Sequence, residues 1–231
     1  MPRKPRMYLP GIPSHVVQRG NDRNPCFFEE ENYLFFLDCL GDACERYDVA
    51  IHAYVLMTNH IHLLMTPSTE SGISRVMQLL GNRYVQYINK KYRKTGTLWE
   101  GRHKASLIDA EQYLLTCYRY IEMNPVRANM VNHPGDYRWS SYRCHAIGSP
   151  SSIIKDHEIF LRIAPTSDER MYCYRELFGI GLDDRDVHDV RKAAAFSMPL
   201  GNNHFKKRIE VALGQSVGYA GRGRPKKGLV E

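Results

Sequence analysis

VAIHAYVLMTNHIHLLM, residues 49–65, is the stretch whose reading decides the fold. Two runs of β-branched and large apolar residues flank the polar pair Thr58-Asn59, so the segment reads as two strands joined in a hairpin. Side chains alternate along a strand. His60 and His62 therefore leave one face, about 6 to 7 Å apart, while Ile61, Leu63 and Met65 enter a core on the other. Two imidazoles on one face can share a metal ion. Ten histidines in 231 residues place a His-x-His by chance roughly 0.4 times per chain, so the spacing needs context. Without it, a pair of structural histidines is the competing reading.

Outward from the hairpin, HVVQRG at 15–20 reads as a first strand, ended by the turn-rich GNDRNP. Residues from about 29 to 47 read as a helix, with Tyr33, Phe36, Leu37, Leu40, Ala43 and Cys44 at spacings of three and four. A second amphipathic helix covers about 70–94, with Ile73, Val76, Met77, Leu80, Tyr84, Tyr87 and Ile88 on one stripe, and Thr95-Gly96 stop it. LWEGRHKASLI at 98–108 reads as a fourth strand, and Asp109 is an N-cap for a helix running to about 124. Strand, helix, strand, strand, helix, strand is the split βαβ order. The expected class is α+β, a ferredoxin-like antiparallel sheet with helices on one face. After WSSYR at 139–143 comes the small-residue stretch 148–152, which sets the expected division: residues 1–147 as the sheet domain, residues 148–231 as a small helical C-terminal module. Helices are expected near 156–163, 168–178, 184–196 and 203–213. The last two flank SMPLGN and have helix-turn-helix spacing, although a Pro-Gly turn between short helices is common without DNA.

Thirty-two Lys and Arg against 25 Asp and Glu leave a formal charge of +7, which favours a polyanionic partner such as nucleic acid. Arg83, Lys90, Lys91, Arg93 and Lys94 cluster with Tyr84, Tyr87 and Tyr92, a pattern suited to holding phosphates and stacking bases; a core stripe beside a solvated face explains Tyr84 and Tyr87 equally well. Six cysteines form no CxxC pair, which argues against zinc ribbons and disulfide scaffolds and for reduced thiols. No apolar run reaches the length needed to span a bilayer, and the basic N-terminus has no apolar stretch behind it, so the expected location is the cytoplasm, at the nucleoid.

On the helix after Asp109, Tyr120 and Asn124 are four apart and share a face, and Pro125 ends or kinks that helix. A phenol one turn from an amide oxygen, facing a strand with two imidazoles, supplies a nucleophile and three neutral metal ligands. These are the parts of a phosphodiester-cleaving transesterase. Tyr113 and Tyr118 on the same helix compete for the nucleophile's role.

Five stretches, HVVQRGNDR (15–23), MTNHIHLL (57–64), LWEGRHKASLI (98–108), YRYIEMNPVRANMV (118–131) and DYRWSSYR (136–143), resemble the single-tyrosine HUH transposases, and within them the REP-associated tyrosine transposases of bacteria. The resemblance covers about residues 5–145. It implies the HUH nuclease fold, a divalent cation, Mg²⁺ or Mn²⁺, held by His60, His62 and Asn124, and Tyr120 as nucleophile. Many insertion-sequence relatives have glutamine where Asn124 stands; asparagine is similar to the REP-associated branch. The implied activity is nicking and joining of single-stranded DNA at hairpins or repeats through a 5′-phosphotyrosine link, with no small-molecule cofactor. Arg19, Arg23, Arg102 and Arg127 lie in matched blocks and are implied DNA contacts, as is Lys104; Lys104, His103 and the metal are also candidates for activating the phenol. The tail GRGRPKK (221–227) looks like an AT-hook core, in which Arg222 and Arg224 enter a narrow minor groove and Lys226 meets phosphate; a basic tail without that role is the rival. The alternative to an enzyme is a non-catalytic, domesticated repeat-binding protein on the same basic surface. Monomer and dimer both remain open.

Overall fold

A computed structural model describes residues 6–217. Strand β1 (Ser14–Arg19) is followed by α1 (Glu30–Arg46), β2 (Val49–Met57), β3 (His60–Pro67), α2 (Gly72–Tyr92) and β4 (Lys104–Leu107). The chain continues through α3 (Ala110–Glu122), α4 (Asn124–Arg127), α5 (Tyr142–Ile147), α6 (Glu158–Leu161), α7 (Ser167–Gly179), α8 (Asp184–Phe196) and α9 (Asn203–Leu213). The four strands lie in the order β2-β3-β1-β4, every neighbouring pair antiparallel. That is the ferredoxin-like arrangement.

The alternation expected of β3 holds. Ile61, Leu63 and Met65 enter one core with Val16 and the apolar stripes of α1 and α2. Leu64 faces the other side, where Val55, Met57, Leu114, Tyr118, Tyr120 and Ile121 form a second core. In β2 the register shifts between Ile51 and Ala53, so Ile51 belongs to the first core and Ala53 to the second. A bulge adds one residue and thereby flips the faces that follow.

Helices α1 and α2 cover one face of the sheet. The second face is covered by α3 and by helices from beyond residue 147, since Phe160, Tyr174, Val190 and Ala193 share the core of Tyr118 and Ile121. Glu122 ties this side together without exposure to water: Oε1 accepts from His145 Nδ1 at 2.7 Å and Ser141 Oγ at 2.5 Å, and Oε2 accepts from the Tyr174 hydroxyl at 2.7 Å. A carboxylate buried so completely persists because several donors satisfy it. The connection from α8 to α9 is stitched to the sheet, Leu200 N donating to Leu107 O and Asp109 N to Leu200 O, both at 2.8 Å. Phe205 and Ile209 of α9 then pack on Leu107.

The fourth strand is shorter than the expected 98–108. Trp99 forms an isolated bridge with Gly20 and is buried in the first core, and Gly101, at φ 67, turns the chain before pairing with β1 resumes at Lys104. A buried tryptophan followed by a left-handed glycine interrupts the ladder. All six cysteines are free. Among the described residues no helix is long and apolar enough to cross a membrane. The AT-hook-like residues Arg222, Arg224 and Lys226 lie outside the described residues.

Candidate active site

His60 and His62 face the second side of the sheet with ring centroids 5.1 Å apart. Asn59, in the hairpin turn, donates through Nδ2 to Arg23 O, so its Oδ1 is the acceptor for His60 Nδ1–H at 2.7 Å. That fixes the tautomer of His60 and leaves Nε2 with a free lone pair. On β1, opposite Leu64, His15 places Nε2 2.8 Å from His62 Nδ1, so His62 also has Nε2 to spare. Burial, with Arg19 adding, lowers the pKa of His60 to about 4. His62 is held well below the ordinary imidazole value by burial first, then by His15 and His60. Both rings are thus neutral at pH 7, the state in which imidazole ligates metal.

Among the described residues no group of three His, Cys, Asp or Glu side chains is placed to hold a metal, so a cation at His60 and His62 would need a third ligand of another type. Asn124 meets that requirement. Pro125 has no N–H to offer Ile121 O, and the Asn124 amide replaces it, Nδ2 donating to Tyr120 O at 2.8 Å and to Ile121 O at 3.3 Å. The kink therefore satisfies its own carbonyls and leaves Asn124 Oδ1 as the free acceptor. Two imidazole nitrogens and an amide oxygen suit a divalent cation and leave coordination positions for phosphate oxygens.

Tyr120 stands against the same imidazoles, its ring 5.8 Å from those of His15 and His62. The two rival tyrosines do not reach the cavity. Tyr118 is fully buried among Phe160, His145 and Tyr174, and Tyr113 sits on the second core near Asp186 and Asp189. His103 turns away as well, pairing through Nε2 with the Tyr8 hydroxyl at 2.6 Å, while Lys104 lines the cavity.

That cavity, about 650 Å³, is lined by His60, His62, Tyr120 and Asn124 together with the cations Arg19, Arg102, Lys104, Arg127 and Arg191, and by one acid, Glu100. None of these five cations forms an ion pair among the described residues, which in a protein with 25 acids is an invitation to an external anion. The Arg127 guanidinium lies over the Tyr120 ring, 4.7 Å from its centre, and its Nη1 is buried without a partner.

Other expected DNA contacts lie elsewhere. Arg23 is exposed beside the hairpin turn, outside the cavity lining. Arg83, Lys90 and Lys91 lie on α2, across the sheet; Arg83 pairs with Asp42 at 2.8 Å, and Lys91 pairs with Glu29 at 2.7 Å and with Glu31. Two contributors were not read from sequence. His15 gives no pattern to find, since its role depends on strand pairing, and Arg191 lies in a helix whose position only the tertiary structure reveals.

The family model for IS200-like transposases matches residues 10–124. A curated protein of Haemophilus influenzae named as a REP-associated tyrosine transposase is 27% identical over 118 residues, a match covering 46% of this chain and 66% of that protein, just under two thirds of its length. A solved structure of a REP-associated tyrosine transposase bound to a REP hairpin superposes with a TM-score of 0.55 at 17% identity, covering 68% of this chain and 93% of that one; at that identity it speaks for the fold. With the split βαβ sheet, the paired histidines on β3 and the tyrosine one turn before an asparagine, this chain belongs to the IS200-like transposases and is similar to their REP-associated tyrosine members.

Proposed function

We propose that the protein nicks and rejoins single-stranded DNA at hairpin-bearing repeats, with Tyr120 as nucleophile and a divalent cation, Mg²⁺ or Mn²⁺, held by His60, His62 and Asn124. The convergence of Tyr120, His60, His62 and Asn124 on one cation-rimmed cavity carries this reading. Hairpin recognition is drawn from the relative whose structure contains a REP hairpin.

A phosphodiester resists attack while its non-bridging oxygens keep their charge and the attacking oxygen is free to wander. When bound, the cation polarises the phosphate and neutralises that charge. The chain supplies the rest. Helix α3 holds the Tyr120 hydroxyl at the cavity, and the second core clamps that helix to the sheet. Arg127, stacked on Tyr120, places a fixed positive charge beside the phenol as its proton leaves. The Tyr120 oxygen bonds to phosphorus, the bond from phosphorus to the 3′-oxygen of the upstream nucleotide breaks, and that oxygen takes up a proton to leave as a hydroxyl. An aryl oxide departs more readily than an alkoxide, so a 3′-hydroxyl can reverse the step and rejoin strands with no external energy source.

Tyr120→Phe removes the nucleophile and keeps the ring under Arg127. The expected outcome with hairpin oligonucleotides and Mn²⁺ is loss of the covalent protein–DNA band on a denaturing gel, with hairpin binding retained. An undiminished band moves the nucleophile away from Tyr120.

A further inference from the structure

Helix α8 lies beyond the segment matched by the family model, yet it forms a wall of the cavity. Its lining residues are Arg191, Ala194 and Ala195, spaced three and four apart and so on one face of the helix. The adjoining stripe, Val190 and Ala193, is buried in the second core, which fixes which face the cavity sees. Arg191 also lines a neighbouring cavity with Arg119, Arg127 and Asp184, so Arg127 and Arg191 stand together on the ridge between the two. Arg127 is half-buried, its Nη1 has no partner, and its pKa is lowered by burial first and by Arg191 as well, against the opposing effect of Tyr120. Two guanidiniums without an ion pair, beside a nucleophile, call for a shared anion between them.

We propose that Arg191 and Arg127 together clamp a backbone phosphate of the single strand held against Tyr120, so that the C-terminal helix α8 is part of the DNA-cleaving site. Ala194 and Ala195, one turn further along the same face, have no bulk and let the strand pass close to the helix backbone. This inference rests on the nicking reading above, but its first test needs binding alone.

In the full chain carrying Tyr120→Phe, the salt dependence of hairpin binding is compared with and without Arg191→Gln. Losing one contact to single-stranded phosphate should reduce the slope of log K against log salt by about 0.7. In the Tyr120 protein, Arg191→Gln should slow adduct formation roughly ten- to a hundredfold, the scale of one charge-assisted hydrogen bond, and Arg191→Lys should recover part of the rate. The controls are Arg185→Gln and Lys192→Gln, exposed on the same helix and outside both cavities. Arg191 is itself exposed, so an unchanged melting curve is expected. Equal effects from all three substitutions, an unchanged slope, or faster adduct formation in Arg191→Gln would each overturn the clamp; faster reaction would make α8 a shield over the site. Failure of the Tyr120 protein to form any adduct would refute nicking while leaving the slope comparison to decide the clamp.

Discussion

On the α1–α2 side of the sheet, Arg83 meets Asp42, Lys91 meets Glu29 and Glu31, and Arg138 meets Glu30. On the α3–α8 side, Arg19, Arg102, Lys104, Arg127 and Arg191 surround a cavity with Glu100 as its only acid. The two sides are similarly basic in sequence and differ in where their acids went. On the first face Arg83 and Lys91 of α2 are paired with acids on or next to α1; on the other, five cations stand without an ion pair among the described residues, around two imidazoles and a phenol. A local excess of cations marks a nucleic-acid surface only when the acids are located too, and the face with paired cations is the less suited to phosphate.

The acid on the active side that could have neutralised this field is turned inward. Glu122 immediately follows the helical turn of Tyr120, but its carboxylate is spent on His145, Ser141 and Tyr174, holding α3 to α5 and α7. Glu122→Ala leaves those buried donors unpaired, and the expected cost is about 3–5 kcal/mol, read as a reduced denaturation midpoint. Should stability be unaffected, the face would owe its assembly to apolar packing alone.

The same distinction between spent and available groups separates the histidines. His52 uses both nitrogens, Nδ1 on Lys155 O at 2.7 Å and Nε2 on Thr66 Oγ1 at 2.8 Å, whereas His60 and His62 each keep one free. Burial lowers the pKa of His52 to about 4. The unfolded chain takes up a proton near pH 6.5 and the folded one resists until about 4, so stability present above 6.5 is lost as pH falls through that window, at up to about 1.4 kcal/mol per pH unit for each such group. His52→Gln should flatten the acid limb of a stability–pH curve and leave adduct formation at neutral pH intact. A loss of adduct with unchanged acid stability would reverse the assignment of these imidazoles.

Why the active side was largely readable lies in local periodicities. His60 and His62 share a face because strands repeat every two residues, and Tyr120 and Asn124 because helices repeat every 3.6; neither depends on distant chain. The convergence of strand and helix follows once the split βαβ order is recognised. What the sequence hid is non-local. Asp42 lies 41 residues from Arg83 and Glu31 lies 60 from Lys91, so the pairing of these two cations has no signature in their own segment. Arg191 reads as an ordinary helix residue until Leu200 is seen bonded to Leu107 and Asp109, which fixes α8 over the cavity. The shortened β4 depends on Trp99 finding the first core.

The smallest expected effect is the sharpest test of the comparison. Arg83, Lys90 and Lys91, interleaved with tyrosines, fit a DNA-binding stripe by sequence, yet Tyr84 is buried with its hydroxyl on Cys26 O, and Tyr92 is engaged by Glu29 and Asn32. The Tyr84 ring is out of reach of a base, the Tyr92 hydroxyl is already engaged, and Arg83 and Lys91 already have partners. Combined Arg83→Gln and Lys91→Gln should therefore leave hairpin affinity, its salt slope and adduct yield unchanged, whereas Arg127→Gln lowers all three. If the double substitution instead reduced the salt slope as far as Arg127→Gln does, bound DNA would have to displace Asp42, Glu29 and Glu31 from their cations, and ion pairing would no longer distinguish the structural face of the sheet from the functional one.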